Sequence, residues 1–264
     1  KKNDKAFLAA NGNTKETPNN GDRYLNTTID GNIYNARYEV SNIDAKLTNI
    51  LNIGFDHSHS FYDSKRYRKE NEQLGQKYDA DLKVQSVYFQ NTVYFNETDA
   101  SLSFGLRSEE SQFGARDEVD RTVSGFVNSW DATDHVTYDD SSTNQALNIG
   151  IEKKIDKNFS IYGNYSESFR IPNIDERILA TTSGSFALKD QESDGIEIGV
   201  IYSNEVANLN INYFHIDTLN EIQYDQSVNT NLDPIKREGI NLDFEFSPDN
   251  KNKFMGSIGY VNAE

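Results

Sequence analysis

Apolar and polar residues alternate one by one along most of this chain. The clearest example is the segment INLDFEF at 240-246, in which every second residue is apolar. Because successive side chains of a β-strand point to opposite faces, this spacing predicts a strand with one apolar and one polar face. The pattern predicts strands at 33-42, 46-57, 84-96, 100-110, 145-155, 159-169, 192-203, 206-217, 234-247 and 252-263. An all-β fold is therefore expected.

The predicted connections alternate strictly between short and long. Short polar turns are expected at 41-44, 96-98, 156-158, 203-205 and 248-250, and long connections at 58-83, 111-144, 170-191 and 218-233. In an up-and-down antiparallel sheet this order places every short turn at one end and every long loop at the other. Such an inequality is typical of an outer-membrane β-barrel with short periplasmic turns and long extracellular loops.

The predicted strand length also fits a membrane barrel. Strands of roughly 11 residues match the 9–11 that a tilted membrane strand needs, and aromatic residues gather at membrane interfaces. Aromatic residues stand beside the short turns, at Phe95, Phe159, Tyr202, Phe246 and Phe254. We therefore expect a partial, antiparallel up-and-down transmembrane β-barrel with its apolar face toward lipid. The alternative is a soluble β-sandwich or lipocalin-like barrel with that face inward.

Composition narrows the functional classes. A formal net charge of -16 disfavours nucleic acid as a partner, and the absence of cysteine excludes thiol chemistry and Cys-ligated metals. No nucleophile–base arrangement or Gly-x-Ser-x-Gly motif is present, so neither an enzyme nor a cofactor is expected. His57 and His59 have a spacing that suits a metal, and 131-140 is acidic enough for Ca²⁺. A rim position for the two histidines and a solvated loop for 131-140 are favoured.

The segment NYSESFRIPNIDERI, at 164-178, resembles a motif of TonB-dependent outer-membrane receptors. The family's Ser-Phe-Arg-x-Pro-Asn-x-x-Glu sequence is matched by Ser168, Phe169, Arg170, Pro172, Asn173 and Glu176. Further segments are similar in family order and contribute Leu188, Lys189, Ser193, Glu197, Gly199, Asn231, Arg237 and Gly239. The chain departs from the family at Asp190-Gln191, where Pro-Glu is common, and at Asn241, where Glu is usual. The resemblance covers 145-247 closely and the whole chain in layout.

The resemblance implies a role and a set of partners. Residues 1-264 are expected to form one partial barrel domain without a plug, roughly half of a 22-stranded wall. The implied function is uptake of a scarce nutrient, such as a ferric siderophore, haem or cobalamin, across a bacterial outer membrane. The implied partners are the lipid bilayer, an extracellular metal chelate and the TonB energy complex, the last reached through parts outside this sequence. A passive porin, an outer-membrane assembly or secretion barrel, and a soluble ligand-binding β protein are the alternatives.

Pro172 and Arg170 carry the most local information in the motif. Pro172 removes a backbone donor and restricts the residue before it, so a strand is expected to end near Phe169. Arg170 could bind an anionic ligand, but an ion pair with Asp175 or Glu176 at the base of a loop is favoured. The motif is therefore interpreted as a structural element at the barrel rim, and no ligand-contacting residue is assigned.

Overall fold

The protein forms one large antiparallel sheet in which neighbours in sequence are neighbours in space. The computed structural model describes residues 2–8, 23–68, 74–119, 137–178, 186–225, 228–249 and 251–264. Its strands are β1 Lys2–Leu8, β2 Arg23–Ile43, β3 Leu47–Arg68, β4 Leu74–Phe95, β5 Ala100–Val119, β6 Thr137–Lys154, β7 Phe159–Arg170, β8 Gln191–Ser203, β9 Ala207–Leu219, β10 Ile222–Asp225, β11 Val228–Asn231, β12 Ile235–Phe246 and β13 Phe254–Ala263. A short helix, α1 Ile174–Ile178, lies between β7 and β8.

The main sheet contains eleven strands in the order β1-β2-β3-β4-β5-β6-β7-β8-β9-β12-β13, while β10 and β11 form a separate hairpin. Every pairing is antiparallel. Within the described ranges, β1 and β13 are edge strands that do not pair with each other. These features confirm the predicted all-β meander, in which the sheet is not closed.

Strand boundaries agree with the sequence prediction in one half of the chain and not in the other. Strands β7, β8, β9, β12 and β13 contain 10 to 13 residues, close to the predicted length. Strands β2 to β6 contain 18 to 22 residues, so the predicted length of roughly 11 is wrong for them.

The long connections predicted at 58-83 and 111-144 are also wrong, because strands β3 to β6 extend into these ranges. Strand β3 continues to Arg68 and β4 begins at Leu74, while β5 continues to Val119 and β6 begins at Thr137. Strand β1, helix α1 and the β10–β11 hairpin were not predicted. Helix α1 and the hairpin fall inside the connections expected at 170-191 and 218-233.

Near the short turns, the sheet has one apolar face and one polar face. On the apolar face, Phe104 lies opposite Ile149, and Ile211 lies opposite Leu242. Many of these side chains are exposed, including those of Phe104, Ile149 and Ile211. On the polar face, Asn148 donates a hydrogen bond of 3.0 Å to Asn164. The exposed apolar surface is what lipid contact requires, and the hydrogen-bonded amides suit an aqueous interior.

Aromatic side chains beside the short turns form cross-strand pairs. The rings of Phe159 and Tyr202 lie 4.8 Å apart, and those of Phe246 and Phe254 lie 6.5 Å apart. Each pair joins residues that are directly opposite in the strand register. Four of the five aromatic residues predicted beside these turns therefore form two cross-strand pairs at the same end of the sheet. Among the described residues, no helix has the length and apolar character needed to cross a membrane.

A group of buried apolar residues covers the polar face at the end of the sheet away from the short turns. We call it the apolar cluster; its members are Tyr62, Tyr78, Ala80, Phe113, Ala115, Ile174, Ile178 and Phe186. Residues of β3, β4 and β5 supply one side of the cluster. Helix α1 and the chain near Phe186 supply the other. The connection between β7 and β8 is therefore folded back onto the sheet.

Candidate functional site

The connection from Arg170 to Gln191 begins with the short helix α1, and two reciprocal hydrogen bonds cap the start of this helix. Strand β7 ends at Arg170, and the side chain of Pro172 is fully buried. The Glu176 amide donates to Asn173 Oδ1 at 2.8 Å, and the Asn173 amide donates to Glu176 Oε2 at 2.9 Å. This reciprocal arrangement is a capping box, which satisfies two backbone donors that a helix start leaves free.

Arg170 joins the same structure through an ion pair. Its Nη1 lies 2.8 and 2.9 Å from the two carboxylate oxygens of Glu176, which is one of the two partners that the sequence favoured. The Arg170 side chain is 43% exposed and that of Glu176 is 22% exposed. Solvent screens an ion pair this accessible, so its net stabilisation is about 0–1 kcal/mol. Arg170 therefore orients Glu176 more than it holds the loop in place.

Arg177 is the most deeply buried charged residue of the described chain, and the sequence analysis missed it. Its side chain is 1% exposed, and Nη1 donates to Asp140 Oδ2 at 3.2 Å. Asp190 Oδ1 lies 3.8 Å from Nη2, and the guanidinium carbon lies 4.8 Å from the Phe113 ring centroid. A buried cation is tolerated only with such partners, because desolvation costs several kcal/mol. The available sequence signal was an Arg flanked by Ile174 and Ile178 at helical spacing.

The apolar cluster packs the loop against the sheet around this charge. The Phe186 ring lies 6.4 Å from that of Tyr78 and 6.5 Å from that of Phe113. Phe186 also has a φ of 51°, a left-handed conformation that is costly for a large side chain. Burial of its ring offsets that strain. Burial, and after it the charge of Asp175, raise the pKa of Tyr62 at the edge of this cluster.

Two residues of the β10–β11 hairpin hold the loop, one near each of its ends. Asn231 accepts from the Lys189 amide at 2.8 Å and donates to the Lys189 carbonyl at 3.0 Å. The amide side chain thus pairs with the backbone as a neighbouring strand would. Asn229 donates to the Glu176 carbonyl at 3.0 Å. Leu188, which directly precedes Lys189, is buried, with 3% of its surface exposed.

Three polar residues of the family motif, Ser168, Ser193 and Glu197, lie on the polar face of the strands. Ser168 donates to the Ser193 carbonyl at 3.4 Å, and the Ser193 hydroxyl lies 3.1 Å from that of Thr218. Glu197 accepts from the Tyr162 hydroxyl at 2.7 Å. These contacts link β7, β8 and β9 across the polar face.

Two more motif residues, Arg237 and Phe169, lie apart from these contacts. Arg237 Nη2 donates to Glu221 at 2.6 Å, which ties β12 to the chain that follows β9. Phe169 lies opposite Glu192 at the end of β7 and is half-buried. The structure therefore brings Arg170, Asn173 and Glu176 together at one point, while Phe169 and Arg237 lie elsewhere.

The two motif glycines lie where an aromatic ring crosses the strand. A Cβ atom on Gly199 would lie 2.5 Å from the Tyr162 ring. A Cβ on Gly239 would lie 2.3 Å from the Tyr260 carbonyl oxygen and 2.7 Å from the Phe214 ring. Any side chain at either position would displace a neighbour, so close approach of backbone and ring explains both glycines.

A recess on the polar face lies below the folded loop. It has a volume of ≈ 550 Å³ and is lined by Asp56, Tyr88 and Arg107 together with small side chains that include Ser103, Gly105, Asn148 and Ser166. Arg107 Nη1 donates to Asp56 at 2.9 Å, and Nη2 donates to Glu109 at 2.6 Å. Phe89, Phe104, Leu106 and Leu147 also line the recess, so its lining is mixed, and its one cation is held between two carboxylates.

The other candidate residues have ordinary hydrogen-bond partners. His57 Nδ1 lies 3.2 Å from the Gln85 amide, and His59 Nε2 lies 3.0 Å from Asp81. In the parts of the chain that the structure describes, no group of three His, Asp or Glu side chains is arranged to hold a metal ion. Most of the acidic segment at 131-140 lies outside the described residues, which resume at Thr137.

Comparison with known proteins places the chain in one family. Residues 2–263 match a family model described as TonB dependent receptor-like, β-barrel. No curated protein sequence matches the chain as a relative.

Solved structures with the same fold include three transporters or receptors. The ferric citrate transporter FecA in the unliganded form superposes with a TM-score of 0.69 and 14% identity, over 92% of this chain and 37% of that protein. The siderophore receptor PiuA from Acinetobacter baumannii gives 0.67 and 15%, over 92% and 39%. The copper transporter OprC gives 0.66 and 13%, over 95% and 39%. The chain thus spans well under half the length of each.

Proposed function

Because this chain belongs to the TonB-dependent receptor β-barrel family, we propose that it forms part of the wall of a receptor that imports a scarce nutrient. The observation that carries the proposal is the family match, which extends over residues 2–263. The two faces of the sheet support it, since the apolar face suits lipid and the polar face suits an aqueous lumen. The proposed location is the outer membrane of a bacterium.

The proposed cargo is a ferric siderophore or a similar iron or cobalamin complex. Neighbours of the same fold are named as a ferric citrate transporter, a siderophore receptor and a copper transporter. Metal-containing solutes are therefore the cargo class that recurs among them. The proposed role is transport, with no catalytic step. The energy for release would come from the TonB complex, acting through parts of the receptor outside this chain.

For the motif residues we propose a structural role at the outer rim. Asn173 and Glu176 would fix the start of the loop, Arg170 would orient Glu176, and Asn231 would hold the end of the loop at Lys189. Their hydrogen bonds to one another and to the backbone support this role. A loop fixed at both ends would keep the outer mouth open in a constant shape.

The test is energy-dependent uptake by the full-length protein in its own host. Cells with and without the gene, each in TonB-intact and TonB-depleted backgrounds, would be given radioactive iron, copper or cobalamin in separate assays. We expect accumulation of one label to fall to the same background when either the gene or TonB is removed. Gene-dependent accumulation that continues without TonB would instead identify a passive porin. Gene-independent accumulation of all three labels would remove the proposed cargo class.

A further inference from the structure

Polar contacts hold the β10–β11 hairpin to the connection between β7 and β8. Asn231 forms two hydrogen bonds with the backbone of Lys189. Asn229 donates a third to the Glu176 carbonyl. None of the described hairpin side chains belongs to the apolar cluster. When the hairpin moves away, water can take over these hydrogen bonds, so their net contribution to its attachment is modest.

The hairpin has little internal stability to add to these contacts. Strands β10 and β11 contain four residues each and form a sheet of their own, separate from the eleven-stranded sheet. A two-stranded hairpin without further packing is marginally stable at best in water. The side chain of Tyr224 in β10 is exposed. The hairpin therefore depends on the β7–β8 connection for its order.

The β7–β8 connection is attached to the wall mainly by burial. Ile174, Ile178 and Phe186 belong to the apolar cluster, and the Arg177 side chain is 1% exposed. Detachment would expose this apolar surface and break the ion pairs of a buried cation, which costs more than an exchange of a few hydrogen bonds with water. Segments with few buried apolar contacts open at the lowest free energy. The hairpin should therefore open before the connection does.

We propose that the β10–β11 hairpin is a strap that detaches as a unit, while α1 and Phe186 stay packed on the wall. The reverse order is excluded by the contacts, because Asn229 and Asn231 bond to the backbone of the connection. Displacement of the connection would therefore remove the attachment of the hairpin as well. The inference rests on the proposed receptor function only in placing the strap at the outer mouth, which its detachment would widen without unpacking the connection.

Hydrogen exchange in the full-length protein in detergent tests this order of opening. The Lys189 amide donates to Asn231 across the contact between connection and hairpin, and the Arg177 amide donates to the Asn173 carbonyl within the connection. Mass spectrometry with electron-transfer fragmentation resolves these two amides. We expect the Lys189 amide to exchange about tenfold faster than the Arg177 amide, after correction for intrinsic rates. Equal rates, or the reverse order, would overturn the proposal.

The variant Asn231→Ala tests which element depends on the other. It removes both hydrogen bonds to Lys189 and a third to the Asn220 carbonyl. Exchange at Lys189 and in 228–231 should become about tenfold faster, while exchange at Arg177 should change less than about twofold. The matched control is Asn35→Ala at an exposed position of β2, which should alter neither rate. Equal acceleration at Lys189 and Arg177, or none at Lys189, would overturn the proposal.

The variant Phe113→Ala supplies the opposite arm, because Phe113 packs against Phe186 and Arg177 beneath the connection. This variant should accelerate exchange at both Arg177 and Lys189. Acceleration at Arg177 alone would show that the hairpin is held independently of the connection, which would overturn the fixed order. Heat-dependent migration in gels checks the folding of each variant, and the wild-type comparison needs no variant.

The exchange assay contains neither TonB nor a solute, so its outcome is independent of the uptake experiment. The expected order of exchange in a protein that takes up none of the labels would remove the receptor function and leave the strap. Uptake that depends on TonB, together with equal exchange at Lys189 and Arg177, would keep the receptor function and remove the strap.

Discussion

The two halves of strand β5 carry their apolar residues on opposite faces. Near the short turn, Leu102, Phe104 and Leu106 lie on the apolar face and are exposed. Near the far end, Phe113 and Ala115 lie on the polar face and are buried at 2% and 6% exposure. The residues between them keep strict strand geometry, so the change is not caused by a bulge. The strand is therefore continuous, but the face that carries its apolar residues changes between its two halves.

Strand β4 shows the same inversion. Val87 and Phe89 are exposed on the apolar face, whereas Tyr78 and Ala80 are buried on the polar face. In the far half, the opposite side of the strand presents Asp79 and Asp81 instead. The half next to the short turns has lipid outside and water inside. The far half has water outside and the folded β7–β8 loop inside, so burial follows the surroundings and not the strand.

The largest effect that distinguishes the two halves is expected from Phe113→Ala in the full-length protein. Phe113 contacts Phe186 and Arg177 in the apolar cluster, so its removal leaves a cavity and should cost about 3–5 kcal/mol of local stability. Hydrogen exchange by mass spectrometry would show lost protection of amides in 173–178. Phe104→Ala on the same strand is the matched control, because its lipid-facing site leaves no protein cavity. Equal loss in both variants would contradict the inversion.

The lipid-facing half is tested by the neighbouring pair Leu242 and Asp243. Leu242→Arg places a charge on the face toward lipid and should cost about 2–4 kcal/mol, whereas Asp243→Arg on the lumenal side should cost little. Unfolding by denaturant after reconstitution in lipid vesicles measures both. If Asp243→Arg is the more damaging, or the two are equal, the assignment of faces is wrong.

The difference between the two halves of these strands also shows how much of the fold the sequence predicts. Alternation located the half of each predicted strand that lies next to the short turns, because the outer face of that half is apolar. It missed the extensions because Tyr78, Ala80 and Leu82 alternate in the opposite sense, which a search for one continuous pattern interprets as a loop. The inward fold of the β7–β8 connection depends on a partner remote in sequence: Asp140 lies 37 positions from Arg177. Only tertiary structure shows that such a cation is buried.

The contacts of the motif at the loop start join residues that are close in sequence, and the sequence predicted these contacts better. Arg170 and Glu176 are six positions apart and form the ion pair that was favoured. Asn173 and Glu176 are three positions apart, which is the spacing of a capping box. Helix α1 was not predicted in this connection, although Asn173 caps it and Glu176 lies in its first turn. A five-residue helix gives too short a periodic pattern to be recognised.

A smaller effect is expected from removing the helix cap. Asn173→Ala deletes the acceptor of the Glu176 amide and should cost about 1 kcal/mol. The variant Asn173→Asp retains an acceptor at this position and is the matched control. Exchange of the Glu176 amide would be compared between the two. Protection in Asn173→Ala equal to that in Asn173→Asp would show that packing of Ile174 and Ile178 holds the helix without its cap.

The smallest effect is expected at Arg170, and it separates an anchor for the loop from an anchor for a ligand. Arg170→Gln removes a solvent-exposed ion pair worth no more than about 1 kcal/mol, since Glu176 keeps its bond from the Asn173 amide. Exchange protection in 173–178 should therefore change only slightly. Binding of the inert trianion hexacyanocobaltate(III) to the full-length protein, measured by equilibrium dialysis, should also stay at its wild-type level, because Glu176 already compensates the Arg170 charge. Arg170→Lys, which keeps the charge and loses the planar guanidinium, is the matched variant. If Arg170→Gln lowers anion retention severalfold while Arg170→Lys preserves it and the loop remains protected, Arg170 binds an anionic solute at the rim, and its contact with Glu176 is only the resting arrangement of that side chain.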